Sequence, residues 1–328
     1  MNIQATDRNN PWTILKLLNW AASYFTSHDI DNPKSTAEIL LSHALMLQRI
    51  DLYLQYDRPL NRDELSAFKQ LVQRRRNREP VAYIVGNKEF WSLPLMVTQD
   101  VLIPRPDTEC LVETTLGILR HKPAGSPLRI LDLGTGSGAV ILALASQCQG
   151  PVYFASDISA KATALAKANA LENGLTHVHF FTGDWLVPVR ISARPFDLIV
   201  SNPPYIPSGD IPGLQPEICR YEPLAALDAG ADGLACLRYL VQNVWSYLKP
   251  GGHLIVEIGY NQKDDVTALA LADGRYEAIS VRKDYGGNDR VVCMKRRVRG
   301  SKGDTNDRRY RWLVLNMISV SLVVGQPV

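Results

Sequence analysis

The sequence predicts an α/β protein, a mostly parallel sheet of seven strands covered by helices on both faces, behind a small N-terminal helical bundle. Three observations lead there. Apolar runs of strand length alternate with helical stretches from Asp107 onward, the pattern of βαβ units. Residues 1–85 carry helical stripes and N-cap signals without that alternation. A glycine-rich turn, Gly134-Thr135-Gly136-Ser137-Gly138, joins one apolar strand to the helix after it.

In chain order, "TILKLLNWAASYF" sets Ile14, Leu15, Leu17, Leu18 and Ala21 on helical spacing, and "STAEILLSHALML" opens with Ser35 and Glu38 spaced as a capping box. A third helix opens on the same device, Asn61 and Glu64, and runs into "KQLVQRRRNREP". Arg74, Arg75, Arg76 and Arg78 make its end basic, read either as a solvated face or as a contact surface for an acidic or RNA-bearing partner. From Val81 to Pro106 the runs "AYIVG", "EFWSL" and "LMVTQDVLIP", broken by Gly86, Asn87 and Pro94, predict β structure, with a hairpin linker over 86–106.

The second domain, 107–297, reads as a helix at 107–119, strand "LRILDLG", a helix at 138–148, strand "VYFASD", a helix at 159–172, then strands "HVHFFTGD" and "FDLIVSN". After a long loop come a helix at 233–248, strand "GGHLIVEIG", a helix at 262–272, and two final strands near "YEAISVRKD" and "RVVCMKR". Continuous apolar strands of this kind are buried on both faces of a parallel sheet. Residues 298–328 fit none of this and read as an appendage without an assigned role.

The totals exclude several classes. With 328 residues, 46% hydrophobic and 21% charged, the chain is ordinary globular material with room for one large and one smaller domain. A net charge of +3 gives no ground for a nucleic-acid partner. Five cysteines without a C-x-x-C pair suggest neither a disulfide framework nor a metal site, which fits a reducing cytoplasm. The N-terminus lacks the apolar core of a signal peptide, and the longest apolar run, "WLVLNMISVSLVV", falls short of the roughly 18 residues a membrane span needs. A soluble protein is expected.

Ligands of parallel sheets sit at the carboxyl ends of the strands. A G-x-G-x-G turn serves both nicotinamide and S-adenosylmethionine sites, but Asp132, two residues before it, would repel a pyrophosphate and could receive the ammonium of a methionine moiety. Asp157 ends the next strand, where a carboxylate takes ribose hydroxyls. Asp184 and Trp185 follow the third, placed to bond an adenine amine and cover its ring. Acids at successive strand ends favour S-adenosylmethionine, which carries a cationic sulfonium and no phosphate.

The fourth strand runs into "SNPPYIP". A conjugated NH2 group is a poor nucleophile because its lone pair is delocalised. Two fixed acceptors, the Asn202 side-chain oxygen and the Pro203 carbonyl, would hold both N–H bonds and aim the lone pair. Pro203 and Pro204 stiffen the turn, and Tyr205 can lay its ring on a flat amide or base and exclude water. This chemistry suits a carboxamide or an aromatic amine and does not choose between them.

The set "VLIPRPDTE", "DLGTGSG", "SNPPYIP", "RYEPLAAL" and "KDYGGNDRVV" resembles the protein-glutamine methyltransferases that modify peptide-chain release factors, the PrmC or HemK family, over about residues 10–295. The resemblance implies a seven-stranded Rossmann-like, S-adenosylmethionine-dependent methyltransferase sheet. It implies that the 134–138 loop, Asp157, Trp185 and Asn202 contact the cofactor, and that Asn202 to Tyr205 hold the glutamine of a release factor's Gly-Gly-Gln motif. It also places Arg105 near the substrate entrance and gives residues 1–85 the task of gripping the release factor. Two rivals stand beside it. An amino-methyltransferase for nucleic-acid bases would need base flipping and a basic channel. An assembly factor that binds cofactor without catalysis would have no use for Asn202.

Overall fold

The computed structural model describes residues 11–121, 127–190 and 195–298. The expected C-terminal appendage beyond Val298, with its apolar run, lies outside them. In chain order the elements are α1 (Ile14–Thr26), α2 (Pro33–Leu45), α3 (Arg49–Leu54), α4 (Arg62–Arg76), α5 (Val81–Val85), β1 (Asn87–Phe90), β2 (Leu93–Met96), α6 (Glu109–Arg120), β3 (Arg129–Leu133), α7 (Ala139–Gln147), β4 (Val152–Asp157), α8 (Ala160–Glu172), β5 (Val178–Thr182), β6 (Phe196–Ser201), α9 (Pro216–Tyr221), α10 (Ala235–Asn243), β7 (Leu248–Glu257), α11 (Lys263–Asp273), β8 (Tyr276–Lys283) and β9 (Asp289–Arg296). Two compact units result. The first comprises the described residues up to Lys88 with Val97–Gln99 and Gly213–Glu222; the second comprises the rest.

In the first unit Ile14, Leu17, Leu18, Ala21 and Phe25 of α1 form one buried stripe, packed with Leu40 and Leu41 of α2 and Phe68 and Val72 of α4. The box at the start of α4 is as expected. The Glu64 N–H donates to Asn61 Oδ1 and the Asn61 N–H to Glu64 Oε2, both at 2.9 Å. The box expected at Ser35 and Glu38 is not formed. Pro33, whose fixed φ suits a first helical position, starts α2 earlier and leaves both residues inside the helix. Glu38 instead turns inward and accepts from Arg49 and Tyr53. Burial opposes its charge, but those two donors outweigh it and hold the carboxyl below its ordinary value.

Among the described residues before residue 86 there are five helices where three were expected. A box between Gln48 and Asp51 starts α3. "AYIVG" is α5 rather than a strand, and it ends on Gly86 at φ 74°. Five apolar residues are too few to reveal a period, and that is why the sequence misled. The basic end of α4 is partly paired within its own unit. Arg74 is bidentate to Glu79 at 2.8 and 2.6 Å. Arg75 is only 4% exposed and donates to Glu217 at 2.7 Å, and Arg78 reaches Glu217 at 3.2 Å. Arg74 and Arg76 are exposed, and Glu79 and Glu217 offset only part of the charge of four arginines, so the end stays basic.

β1 and β2 form a two-stranded sheet, but the strand expected over "LMVTQDVLIP" stops at Met96. The buried Asn169 of α8 holds that end, accepting from the Met96 N–H at 2.8 Å and donating to the Met96 and Ser137 carbonyls. The large sheet has the order β5-β4-β3-β6-β7-β9-β8. Its first five strands are parallel, and β9 runs antiparallel to both β7 and β8. Ile130 faces one core with Ile141 and Tyr153, while Leu131 and Leu133 face the other with Leu237 and Leu240. From β3 the chain winds outward to β5 and then returns to β6 on the other side. That reversal opens a crevice at the carboxyl ends of β3 and β6. Among the described residues no helix is long and apolar enough to cross a membrane.

Candidate active site

The loop after β3 is built by three glycines, each in the left-handed region: Gly134 at φ 73°, Gly136 at 56° and Gly138 at 86°. Its amides are turned inward. Gly134 and Thr135 donate to the Ser156 carbonyl at 2.9 Å, Gly136 to Asp157 Oδ2 at 2.9 Å and Gly138 to the Thr135 carbonyl at 2.8 Å. A phosphate-binding loop presents such amides to its ligand; here these four are bonded within the protein.

Asp132 departs from its expected role. It is 1% exposed, accepts from the Thr135 hydroxyl at 2.6 Å and lies within reach of the Ile141 N–H. It therefore braces the loop and the first turn of α7, and does not face the crevice as an ammonium acceptor. Burial, aided by the nearby Asp157 charge, pushes its carboxyl up to about 7 against the pull of those donors.

Asp157 is half-buried at the end of β4 and accepts from Gly136 and, through Oδ1, from the Ser159 N–H at 2.9 Å. Each carboxylate oxygen keeps a further lone pair, so the group is held still yet able to accept from a diol. Beyond β5, Asp184 is exposed and Trp185 sits at φ 44°. The Trp185 ring packs 6.0 Å from that of Tyr239 and forms the wall beside Gly134, whose missing Cβ would lie 4.0 Å from it. Ser137 is buried behind the loop.

On the other side of the crevice, the Ser201 hydroxyl donates to the Leu133 carbonyl at 2.7 Å and fastens the end of β6 to β3. Asn202 follows, half-buried, with Nδ2 donating to the Thr108 hydroxyl oxygen at 3.1 Å. Its Oδ1 is left for another donor. Pro203 is buried, and Pro204 and Tyr205 are half-buried. The Tyr205 hydroxyl donates to Glu257 Oε1 at 3.3 Å. Burial and the Glu257 charge raise the phenol well above its ordinary value, so it stays a neutral donor. Arg105 lies near enough for its charge to oppose that shift, as does Arg290.

This chain aligns with a model of the PrmC N-terminal domain over residues 16–86 and with a methyltransferase domain over 125–313. A release factor glutamine methyltransferase of Geobacter sulfurreducens is 43% identical over 287 residues, 88% of this chain and 98% of that protein. The chain belongs to the release factor glutamine methyltransferase family. Another similar member, from Yersinia pestis, is 47% identical over 84% of this chain and 96% of its own length. One from Rhodospirillum rubrum is 42% identical over 87% and 86%. The chain is thus an enzyme with a methyltransferase fold, using a methyl donor.

Several residues of this family member's crevice were not singled out by the sequence as site residues. Arg290 donates to Asp284 at 3.0 Å, pairs with Asp107 at 3.1 Å and reaches the Ile258 carbonyl at 3.4 Å. It thereby joins the distant "IPRPDTE" and "KDYGGNDRVV" segments. Gln262 is buried and donates to the Tyr205 and Gly233 carbonyls at 2.9 and 3.0 Å while accepting from the Gly259 N–H at 2.9 Å. Glu257, 1% exposed at the end of β7, is pushed up to about 7 by burial, opposed by Thr108, Arg290 and Tyr205. It gives the same signal as Asp157, an acid ending a parallel strand.

Proposed function

We propose that the chain transfers a methyl group from S-adenosylmethionine to the side-chain amide nitrogen of a glutamine in a peptide-chain release factor, the one in its Gly-Gly-Gln motif. The observation that carries the substrate side is the Asn202 carboxamide, whose Nδ2 is taken up by Thr108, so that Oδ1 would be the end that accepts from a substrate amide. The cofactor side rests on the inward-turned loop amides and on Asp157, which suit a diol on a ligand without phosphate. Gly134, Thr135, Gly136, Ser137 and Gly138 would shape the floor, Asp157 would take the ribose, and Asp184 and Trp185 the adenine. When bound, the donor supplies an electrophilic methyl carbon on a sulfonium.

The chain's own residues then do the rest. Asn202 Oδ1 and the Pro203 carbonyl accept the two N–H bonds of the glutamine amide, which turns the nitrogen lone pair toward the methyl. Tyr205 and Pro204 flank the amide plane and exclude water, and Arg105 guards the entrance. Transfer of the methyl, the donor leaving as a neutral thioether, would make the amide nitrogen cationic. The nitrogen, now cationic, gives its extra proton to solvent without a strong base. The first unit would hold the body of the release factor. All five cysteines are free thiols, in keeping with a cytoplasmic setting.

The test is incubation with labelled donor and either a release factor or duplex DNA. Label on the release factor that disappears when the Gly-Gly-Gln glutamine is replaced supports the reading. Label on DNA, or label that persists after that replacement, overturns it.

A further inference from the structure

We propose that Asp107, clamped by Arg290, is a positioning residue that sets the place of the Asn202 carboxamide through Thr108. The inference rests on the reading above, in which Asn202 must meet the substrate amide at a fixed angle.

Three contacts run in line. Arg290 Nη2 on β9 pairs with Asp107 Oδ2 at 3.1 Å. Asp107 and Thr108 share the short turn before α6, which the Thr108 N–H closes by donating to the Arg105 carbonyl at 3.1 Å. The Thr108 hydroxyl oxygen then receives Asn202 Nδ2 at 3.1 Å. A closed turn of this length moves as one piece, so whatever holds Asp107 also holds the oxygen that Asn202 meets. Past the turn, Glu109 Oε1 accepts from the Trp91 N–H at 3.4 Å, too long to be a firm tie.

Arg290 does not need Asp107 in order to stay buried. Its side chain is 9% exposed and donates through Nε to the buried Asp284 carboxylate at 3.0 Å, and through Nη1 to the Ile258 carbonyl at 3.4 Å. The Asp284 pair already balances its charge. Asp107, by contrast, has a side chain 53% exposed, and a surface carboxylate that adds a second bridge to an arginine already paired contributes little to folding. What it gains is a stationary partner. Arg290 is held by Asp284 and by its own place on β9, where its carbonyl accepts from the Ile258 N–H at 2.9 Å. The bridge therefore serves the turn beside the crevice more than it serves the fold.

The experiment compares wild type with Asp107→Ala, Asp107→Asn, Thr108→Val and the double variant of Asp107→Ala with Thr108→Val. Asp107→Ala should melt within about 5 °C of wild type. It should lower kcat on a release factor by about fivefold or more, with donor affinity changed by less than about twofold. Asp107→Asn keeps an acceptor for Arg290 and should restore most of the loss. Because the bridge acts through Thr108, adding Asp107→Ala to Thr108→Val should cost less than about twofold more. A further readout needs neither donor nor substrate. The side-chain NH2 resonances of Asn202, identified by their loss in Asn202→Asp, should move in Asp107→Ala and return toward their wild-type positions in Asp107→Asn. Wild-type kcat in Asp107→Ala, losses that multiply in the double variant, unmoved Asn202 resonances, or a melting point lowered by more than about 5 °C would each overturn the proposal. If Thr108→Val fails to fold, the Asn202 resonances of the two Asp107 variants decide. If no release factor is methylated, the reading of function fails while the melts and the resonances still judge the bridge.

Discussion

The Gln262 side-chain amide donates to the Tyr205 carbonyl at 2.9 Å, tying the exit of β6 to the loop after β7. The same nitrogen holds the Gly233 carbonyl, and Gly233 stands at φ 71° with no room for a Cβ, which would lie 2.8 Å from the Tyr205 oxygen. Three segments meet at one amide. Gln262→Leu should cost about 2–4 kcal/mol of stability by orphaning these groups. It should lower kcat/KM on release factor more than it weakens donor binding. Thermal melts and calorimetry check both, and donor affinity falling in step with kcat/KM would argue against a local effect.

Asn202→Ala removes a side-chain amide acceptor at the β6 exit. Activity should drop by about a hundredfold or more while the donor still binds. Unchanged turnover would mean that the amide is not oriented from this side.

Asp157 accepts from two backbone donors and is placed to accept from a ligand diol. Asp157→Ala should weaken donor binding by about tenfold to a hundredfold, the worth of lost charge-assisted hydrogen bonds. Equilibrium binding measures it directly, and a shift below about twofold would remove Asp157 from the cofactor's contacts.

Asp132 makes stability depend on pH with a definite sign. Its carboxyl is raised from 3.8 to about 7, so the folded protein binds that proton more tightly than the unfolded chain. The contribution is present in full below about pH 4 and is lost as pH rises toward about pH 7, by less than about 4 kcal/mol. Asp132→Asn should flatten this slope in denaturant titrations at a series of pH values. Glu257 contributes a slope of the same sign.

Glu217 pairs with two arginines of the first unit, one of them Arg75 at 4% exposure. Glu217→Ala should destabilise that unit by about 3–5 kcal/mol, because a buried guanidinium loses its counterion. Hydrogen exchange along α4 reports it, and unaltered protection there would show that solvent had taken over the pairing.

The sheet was legible because β3, β4 and β6 are continuous apolar runs joined to clear helices, a pattern with few alternatives. The glycine turn, Asp157 and the residues after β6 were legible for a similar reason, since each falls at a strand end. What escaped was set by tertiary partners. Arg75 looked like surface until Glu217, far along the chain, proved to face it. Asp132 looked like a ligand group until the Thr135 hydroxyl claimed it. Thr108, Glu257 and Gln262 belong to the crevice through bonds between segments that no local spacing records.

The inward-turned amides of the 134–138 loop bear on inhibition. A pocket floor whose Gly134, Thr135, Gly136 and Gly138 amides are already bonded within the protein offers triphosphates and dinucleotides a poor anchor, however abundant they are in a cell. Adenosine compounds ending in a neutral or cationic chain should compete for this site, and their phosphorylated counterparts should not.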